Sequence, residues 1–325
     1  MTDARVRCLS IHAAYECRRT GVCCRSGWDI PFDAVEASAV RALRLHGRVL
    51  LEPQGGRPAF AARGADGACT FFNGATHACA IHEKAGHETL PLTCRMFPRL
   101  VLHDPRGTFV SLSHFCPTAA AMLFEGTAPV AIVDAPTRLT RAAPLDGLDA
   151  TDAWPPLLRD GVLTDLASYA RWEARSIDLL TTPGLTARES LALLEDATRA
   201  IVAWTPGDGA LIETIERTFA DVRPGSPSIA AACDPAVQRW LAARLFGTWI
   251  AYQGRGLETI VRYLGMCLHA FERELEQCGD PLQAIRRSDY HLVHESSSQR
   301  LAMMCDEPAP RLRRVAGSGA RERTP

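Results

Sequence analysis

Seven of the twelve cysteines fall between Cys17 and Cys116, in the order Cys17, Cys23, Cys24, Cys69, Cys79, Cys94 and Cys116, with one adjacent pair. Thiolates on short loop spacings bind zinc, iron or iron-sulfur clusters and have little value as core filler. This part of the chain is therefore expected to fold around a metal. A disulfide framework competes with that reading, but it needs an oxidising compartment and usually a small secreted chain. Residues Met1 to Thr20 interleave Asp3, Arg5, Arg7, Glu16, Arg18 and Arg19 with apolar residues, which leaves no signal-peptide core. The longest apolar run, Trp240 to Tyr252, is broken by Arg244 and Gly247 and is shorter than the roughly 20 residues a bilayer span requires. The expectation is a soluble, cytoplasmic metal-binding protein, with inert or merely reactive thiols as a further alternative.

A chain of 325 residues can bury a substantial core and make one large or two modest domains. Its 36 basic and 37 acidic residues nearly cancel, so no global field recruits nucleic acid or an anionic membrane. Neither is expected as a partner. Residues 1–126 carry the cysteines, many glycines and short turns, and read as a cysteine-cluster metal-binding domain. Residues 127–160 hold Pro129, Pro136, Pro144, Pro155 and Pro156 and read as a connector wrapped on the surface. From 161 to 305 the apolar residues recur at helical spacing. The end, 306–325, with its arginines among Pro, Gly and Ser, reads as a disordered tail. The fold class expected is mainly α, with a small irregular α+β N-terminal part and a helical bundle after it.

Local signals place the elements. Asp33 can cap a helix whose apolar face runs through Val35, Ala39, Val40 and Leu43 and which ends near Gly47. Arg99–His103 and Thr108–Ser113 flank Asp104-Pro-Arg-Gly107 and predict a β-hairpin whose second strand delivers Cys116; a short helix, Thr118 to Phe124, follows. Further helices are expected over Leu163–Leu180, from the Thr186-Ala-Arg-Glu189 capping box to Trp204, over Gly209–Val222, and over Leu257–Cys278. Two more, of about four turns, should open at Asp234-Pro235 and Asp280-Pro281. In the helix over 257–278, Ile260, Tyr263, Leu264, Cys267, Leu268, Phe271 and Leu275 share a face. Cys233, Cys267, Cys278 and Cys305 are widely spaced and read as small hydrophobes.

Four ligands suffice for tetrahedral zinc or for one cubane, which leaves three of the seven thiols for a second metal, support or redox work. If Cys23 and Cys24 are extended, their side chains diverge, and one of the pair binds a given metal. His77, His82 and His87 could add a nitrogen ligand. Gly21 and Gly67 permit tight reversals beside the cysteines, and Trp28 and Phe97 would shield a centre from water or simply fill core.

Tyr15-Glu-Cys17, Cys23-Cys24-Arg-Ser-Gly-Trp28-Asp-Ile, Cys69-Thr-Phe-Phe, Cys79-Ala-Ile-His, Leu92-Thr-Cys94-Arg-Met-Phe-Pro-Arg99 and Ser111-Leu-Ser-His-Phe-Cys116-Pro together resemble the bacterial cysteine-cluster family. Within it they are most similar to the flagellin lysine N-methylases. The likeness continues through Arg171-Trp-Glu-Ala-Arg175 and Leu185 to Leu194, and more faintly from Leu241 to Leu275; Asp289-Tyr-His-Leu-Val-His294-Glu matches only loosely. The resemblance implies a transferase: a protein-lysine N-methyltransferase that holds an iron-sulfur cluster, 4Fe-4S by expectation with zinc as the alternative. It would use S-adenosylmethionine on a protein substrate, flagellin. Under that reading Arg95 and Arg99 offset thiolate charge or grip the carboxylate of the methyl donor.

A lysine with its pKa near about 10.4 must lose a proton before it attacks a sulfonium methyl. Asp29, Asp33, Tyr15 and His114 lie near the cysteines in sequence, and no catalytic residue can be chosen among them. No G-x-G-x-x-G loop is present, so a Rossmann-type donor pocket is unsupported, and the C-x3-C-x2-C spacing of a radical enzyme is absent. A cluster iron with an open position could chelate the donor instead. The alternative to an enzyme is a non-catalytic zinc- or iron-binding protein.

Overall fold

The computed structural model describes residues 5–53, 58–126, 128–140, 145–223 and 233–306. The tail, apart from Asp306, lies outside these residues, as do Pro144 and the arginines assigned to the tail. The chain is mainly α with small sheets, and the hairpin is the centre around which the rest is arranged. Its strands Arg99–Asp104 and Gly107–Leu112 pair in antiparallel register from Arg99↔Leu112 to Asp104↔Gly107. The strand Val6–Leu9 joins the second of these in parallel, and Ile132–Asp134 closes that edge. Leu148–Asp149 closes the other edge, parallel to Arg99–Asp104. The proline-rich stretch thus wraps around the sheet and supplies both edge strands, where unpaired N–H and C=O groups otherwise face water.

Side chains of a strand alternate between faces, and here the two faces serve two cores. Val101, Val110 and Leu112 pack with Met96, Cys116, Ala119 and Leu139, while Leu102 and Phe109 join the large helical core built on Trp172, Trp240, Leu264 and Phe271. A third, small core of Ile30, Phe32, Val40, Phe71, Ile81 and Leu90 lies under the cysteine loops.

The helices follow the periodicity closely. Leu257–Cys278 forms as expected, with Ile260, Tyr263, Leu264, Cys267, Leu268 and Phe271 buried, and it ends on Gly279 in the left-handed conformation. Thr186 and Glu189 make the reciprocal capping box that opens Ala187–Val202. Asp165 caps Leu166–Leu180 by accepting from the Ser168 N–H, so that helix starts three residues later than the sequence suggested; Val162–Leu163 is used instead as a strand against Leu157–Arg159. Pro281–Asp289 passes directly into a π-helical turn, Tyr290–His294. Asp234–Leu245 is shorter than expected because Gly247 turns the chain at φ +57°, where a Cβ would lie 2.8 Å from the Phe109 Cβ.

The helix after Asp33 needs correcting. It spans Ala34–Ala42 and buries Ala37 and Val40, while Val35 is 78 % exposed. A period of 3.6 puts 37 and 40 on one side and carries 35 to the other. The helix stops short of Gly47 because Leu43 leads into Arg44 at φ +49°.

Sheet and helices are joined by buried polar groups. Arg106, at the hairpin turn, donates to Asp104 at 2.7 Å and to Glu173 at 2.8 Å, with its guanidinium between the Phe109 and Tyr169 rings at 4.4 and 4.6 Å. Glu173 also accepts from the Gly247 N–H at 3.0 Å, and the Tyr252 hydroxyl donates to Asp104 at 2.8 Å. At the other end of the sheet Asp289 accepts from Ser113 Oγ (3.0 Å), the His114 N–H (2.6 Å) and Trp240 Nε1 (2.9 Å), with Arg244 at 3.5 Å. No helix among the described residues is long and apolar enough to cross a membrane.

Candidate metal centre

The backbone gathers the cysteine loops before any side chain acts. The Cys69 N–H donates to the Cys24 carbonyl at 2.8 Å, the Ala80 N–H to the Phe71 carbonyl at 2.8 Å, and Phe72–Asn73 pairs with Ala78–Cys79. Loops that start 45 residues apart in sequence are thereby fastened edge to edge. Gly21 makes this possible on one side: it sits at φ +68° with Phe72 so close that a Cβ would fall 2.4 Å from its ring. Gly67, at φ +75°, turns the chain just before Cys69.

The result is a group of five thiols. Cys94 feels the charges of Cys23, Cys79 and Cys69, and Cys24 those of Cys23, Cys79 and Cys69. Cys23 and Cys24 occupy a 3-10 turn, not an extended strand, and each thiol acts on the other: the Cys23 pKa is lowered by its neighbour and that of Cys24 raised by its neighbour and by burial. Both side chains of the adjacent pair therefore face the same group, against the divergence expected of extended backbone. Burial first of all raises the thiol pKa values of Cys69, Cys79 and Cys94. Nearby backbone N–H groups oppose it, that of Phe71 at Cys69 and those of His82 and Ile81 at Cys79.

Cys17 and Cys116 form a separate pair. Cys17 is exposed and accepts from the Arg19 N–H at 3.4 Å. Cys116 is buried at the start of the helix Pro117–Glu125, 3.7 Å from the Tyr15 hydroxyl, whose pKa is raised by burial and then by the Cys116 and Cys17 charges. The seven cysteines are thus divided five and two, a partition their spacing does not reveal.

The other candidates are placed as follows. Arg95 lies beside Cys94 with its guanidinium 3.6 Å from Glu36. Arg99 donates to the carbonyls of Leu139 (2.5 Å), Arg95 (2.9 Å) and Arg138 (3.5 Å), so its fork ties two loops together. Asp33 is occupied as a helix cap, accepting from the Glu36 N–H at 2.7 Å, and Asp29 pairs with Arg63 at 2.8 Å on the surface. His114 is fully buried against His12, Nε2 to Nε2 at 3.1 Å, and burial holds both neutral by lowering their pKa values. His82 and His87 face each other with centroids 6.0 Å apart, and exposed His77 packs its edge on Phe72. Trp28 and Phe97 meet at 5.2 Å in a cluster completed by Phe115, Tyr290 and His294, so they bridge the cysteine loops to the helices. Cys267 and Cys305 are buried in the helical core, where Cys233 and Cys278 pack against it partly exposed. Glu36 and Arg48, which fasten the loops of Cys94 and Cys69, lie far from those cysteines in sequence; only pairing through space reveals that role.

The donor set suits a thiophilic ion or cluster: sulfur ligands, partly desolvated. The five are neighbours without yet forming a coordination sphere, since among the described residues no three His, Cys, Asp or Glu side chains are arranged to hold one ion. Residues 16–117, which begin just before Cys17 and end just after Cys116, match the family model described as a "putative zinc- or iron-chelating domain". No curated protein and no solved structure matches the chain. Sequence comparison and donor chemistry agree on the coarse conclusion, that the N-terminal third is a cysteine-cluster domain similar to zinc- and iron-chelating ones.

Proposed function

We propose that Cys23, Cys24, Cys69, Cys79 and Cys94 supply the ligands of a zinc ion or an iron-sulfur cluster, 4Fe-4S being the preferred cluster. The observation that carries this is the convergence of four separate loops, fastened by backbone bonds and a shared small core, on one all-sulfur group. A bound metal would neutralise thiolates that burial disfavours, so metal binding and folding of these loops are one equilibrium.

The finer proposal is that the protein is a lysine N-methyltransferase that takes the methyl group of S-adenosylmethionine to flagellin lysines. Its support is the sequence likeness running from the cysteine loops into the helices. The segment Arg171-Trp-Glu-Ala-Arg175 is accounted for by packing: Trp172 is core, Glu173 holds Arg106, and Arg171 and Arg175 pair with Glu216. A non-catalytic metal-binding protein is the second reading, favoured by the occupation of Asp33, Asp29 and His114 in capping, surface pairing and packing.

Anaerobic purification followed by iron, sulfide and zinc analysis tests the first proposal; a chain with neither metal overturns it. Incubation of the loaded protein with S-adenosylmethionine and flagellin of the same host tests the second. Mass increments of one methyl group on lysines support the transferase. Donor binding and methyl transfer both absent from a metal-loaded sample leave the non-catalytic reading in its place.

A further inference from the structure

Between Cys24 and Cys69 runs a long stretch without cysteine, and two of its side chains, of opposite charge, reach the cysteine loops. Arg48 is half-buried and spreads its guanidinium over the Thr70 carbonyl and, at 3.1 Å, the Phe72 carbonyl. These carbonyls belong to the turn that follows Cys69, in which the Phe72 N–H donates to the Cys69 carbonyl at 2.9 Å. The neighbouring Val49 N–H donates to Thr70 Oγ1 at 3.3 Å and the Val49 carbonyl accepts from Ala62, so the arginine stem is itself anchored. Both bonds come from the same nitrogen, Nη1, so one charged group bridges the two carbonyls.

Glu36 does the same for the other loop. One carboxylate oxygen accepts from the Asp33 N–H at 3.1 Å, as the return half of the capping box. The other accepts from the Leu92 N–H at 2.7 Å and lies 3.6 Å from Arg95, at the two ends of the short helical turn Leu92–Met96 that carries Cys94. Its side chain is only 15 % exposed. A capping box needs just one of these oxygens, and a surface helix does not need a carboxylate to reach across to a second element.

We propose that Arg48 and Glu36 are positioning residues of the thiol centre, Arg48 fixing the turn that aims Cys69 and Glu36 the turn that aims Cys94. The inference rests on the metal reading above. Groups that orient ligands without touching the metal are commonly worth about 10- to 100-fold in affinity, and these two act on ligands from different loops. Their placement also gives the segment 33–51 a role: it is a brace between two cysteine turns.

The test uses the full-length chain, zinc affinity by competition with a chelator, and the sulfur-to-metal absorption of the cobalt-substituted protein. Arg48→Met and Glu36→Ala are expected to weaken zinc about 10- to 100-fold and to reduce the cobalt-thiolate band. Arg48→Lys, which keeps a charged donor on a side chain one bond shorter, falls between Met and the parent. Glu36→Gln keeps an acceptor for the Leu92 N–H and restores most of the affinity lost in Glu36→Ala. Arg41→Met, which breaks only the exposed Arg41–Glu52 pair of the same segment, leaves both readouts unchanged. The proposal is overturned if the folded Arg48→Lys, Arg48→Met and Glu36→Ala proteins bind zinc as tightly as the parent with the same cobalt spectrum, or if Arg41→Met weakens zinc equally. A parent chain that binds no thiophilic metal overturns the metal reading itself, a different result from a parent that binds and variants that match it.

Discussion

The cysteine loops and the helical half reach order by different means. In the helical half, Leu257–Cys278 runs 22 residues and buries a continuous stripe, so hydrophobic contact specifies each neighbour. Between Cys17 and Cys94 the strands have two or three residues and the α-helices five to nine, too short to stand without partners. The shape of the cysteine part comes from backbone bonds between turns and from side chains that grip carbonyls, such as Arg48 and Arg99. Contact by periodicity can be read along the chain; contact by grip depends on which loops have come together. The metal would be the remaining fastener, which is why removing ligands and removing apolar contacts should damage the two regions so differently.

The largest effect should come from ligand loss. Serine at Cys23, Cys24, Cys69, Cys79 or Cys94 is expected to remove most of the bound metal in metal analysis, whereas serine at Cys267 or Cys305 leaves metal content intact and lowers stability instead. Cys17→Ser and Cys116→Ser sharpen the division into five and two: retention of metal supports it, and loss from both would join the groups.

Next in size is the seam between sheet and helices. Arg106→Met leaves Asp104 and Glu173, 0 % and 1 % exposed in their side chains, without their cation. Breaking a buried pair from one side costs about 3–5 kcal/mol, and denaturant unfolding should report a loss of that order.

Acid should act on the same seam at its other end. Burial lowers the His294 pKa to about 4, with Asp289 opposing and Arg244 assisting, and His12 and His114 are lowered as well. A histidine whose folded value lies below its unfolded one, about 6.5, takes up its proton more readily in the unfolded chain. Its contribution is complete above that unfolded value and is lost as pH falls toward 4. The melting temperature should therefore decline between pH 6.5 and 4, and His294→Asn should flatten the decline; an unchanged slope counts against this assignment.

The smallest contrast lies within one helix. Val40→Ala, in the small core under the cysteine loops, should cost about 2 kcal/mol. Val35→Thr, on the exposed side, should stay within about 0.5 kcal/mol. Equal losses would mean that the outer face is covered by something else.

Much of the fold was legible in the sequence because its signals are local. The cap at Asp33, the capping box at Thr186, the Asp-Pro start at 280 and the hairpin around Asp104–Gly107 each occupy a few neighbouring residues, and each forms. Two readings fail for different reasons: Leu163 is taken by a strand, a second element competing for the segment, and Val35 is expected on the apolar face that the helical period gives to Ala37 and Val40. The candidate site was legible as a list of thiols but not as a geometry.

By itself the sequence determined that a soft-ligand site occupies the first third of the chain and that long amphipathic helices follow, since residue type and period are properties of the chain alone. Tertiary structure decided which cysteines are neighbours. It joined Cys24 to Cys69 and Cys79 through backbone bonds, separated Cys17 and Cys116 from them, and brought Arg48 and Glu36 to the cysteine turns. The reason is physical: a thiol, a guanidinium or a carboxylate acts over a few ångströms through space, and the distance along the chain between two such groups does not set that separation until the loops between them have closed.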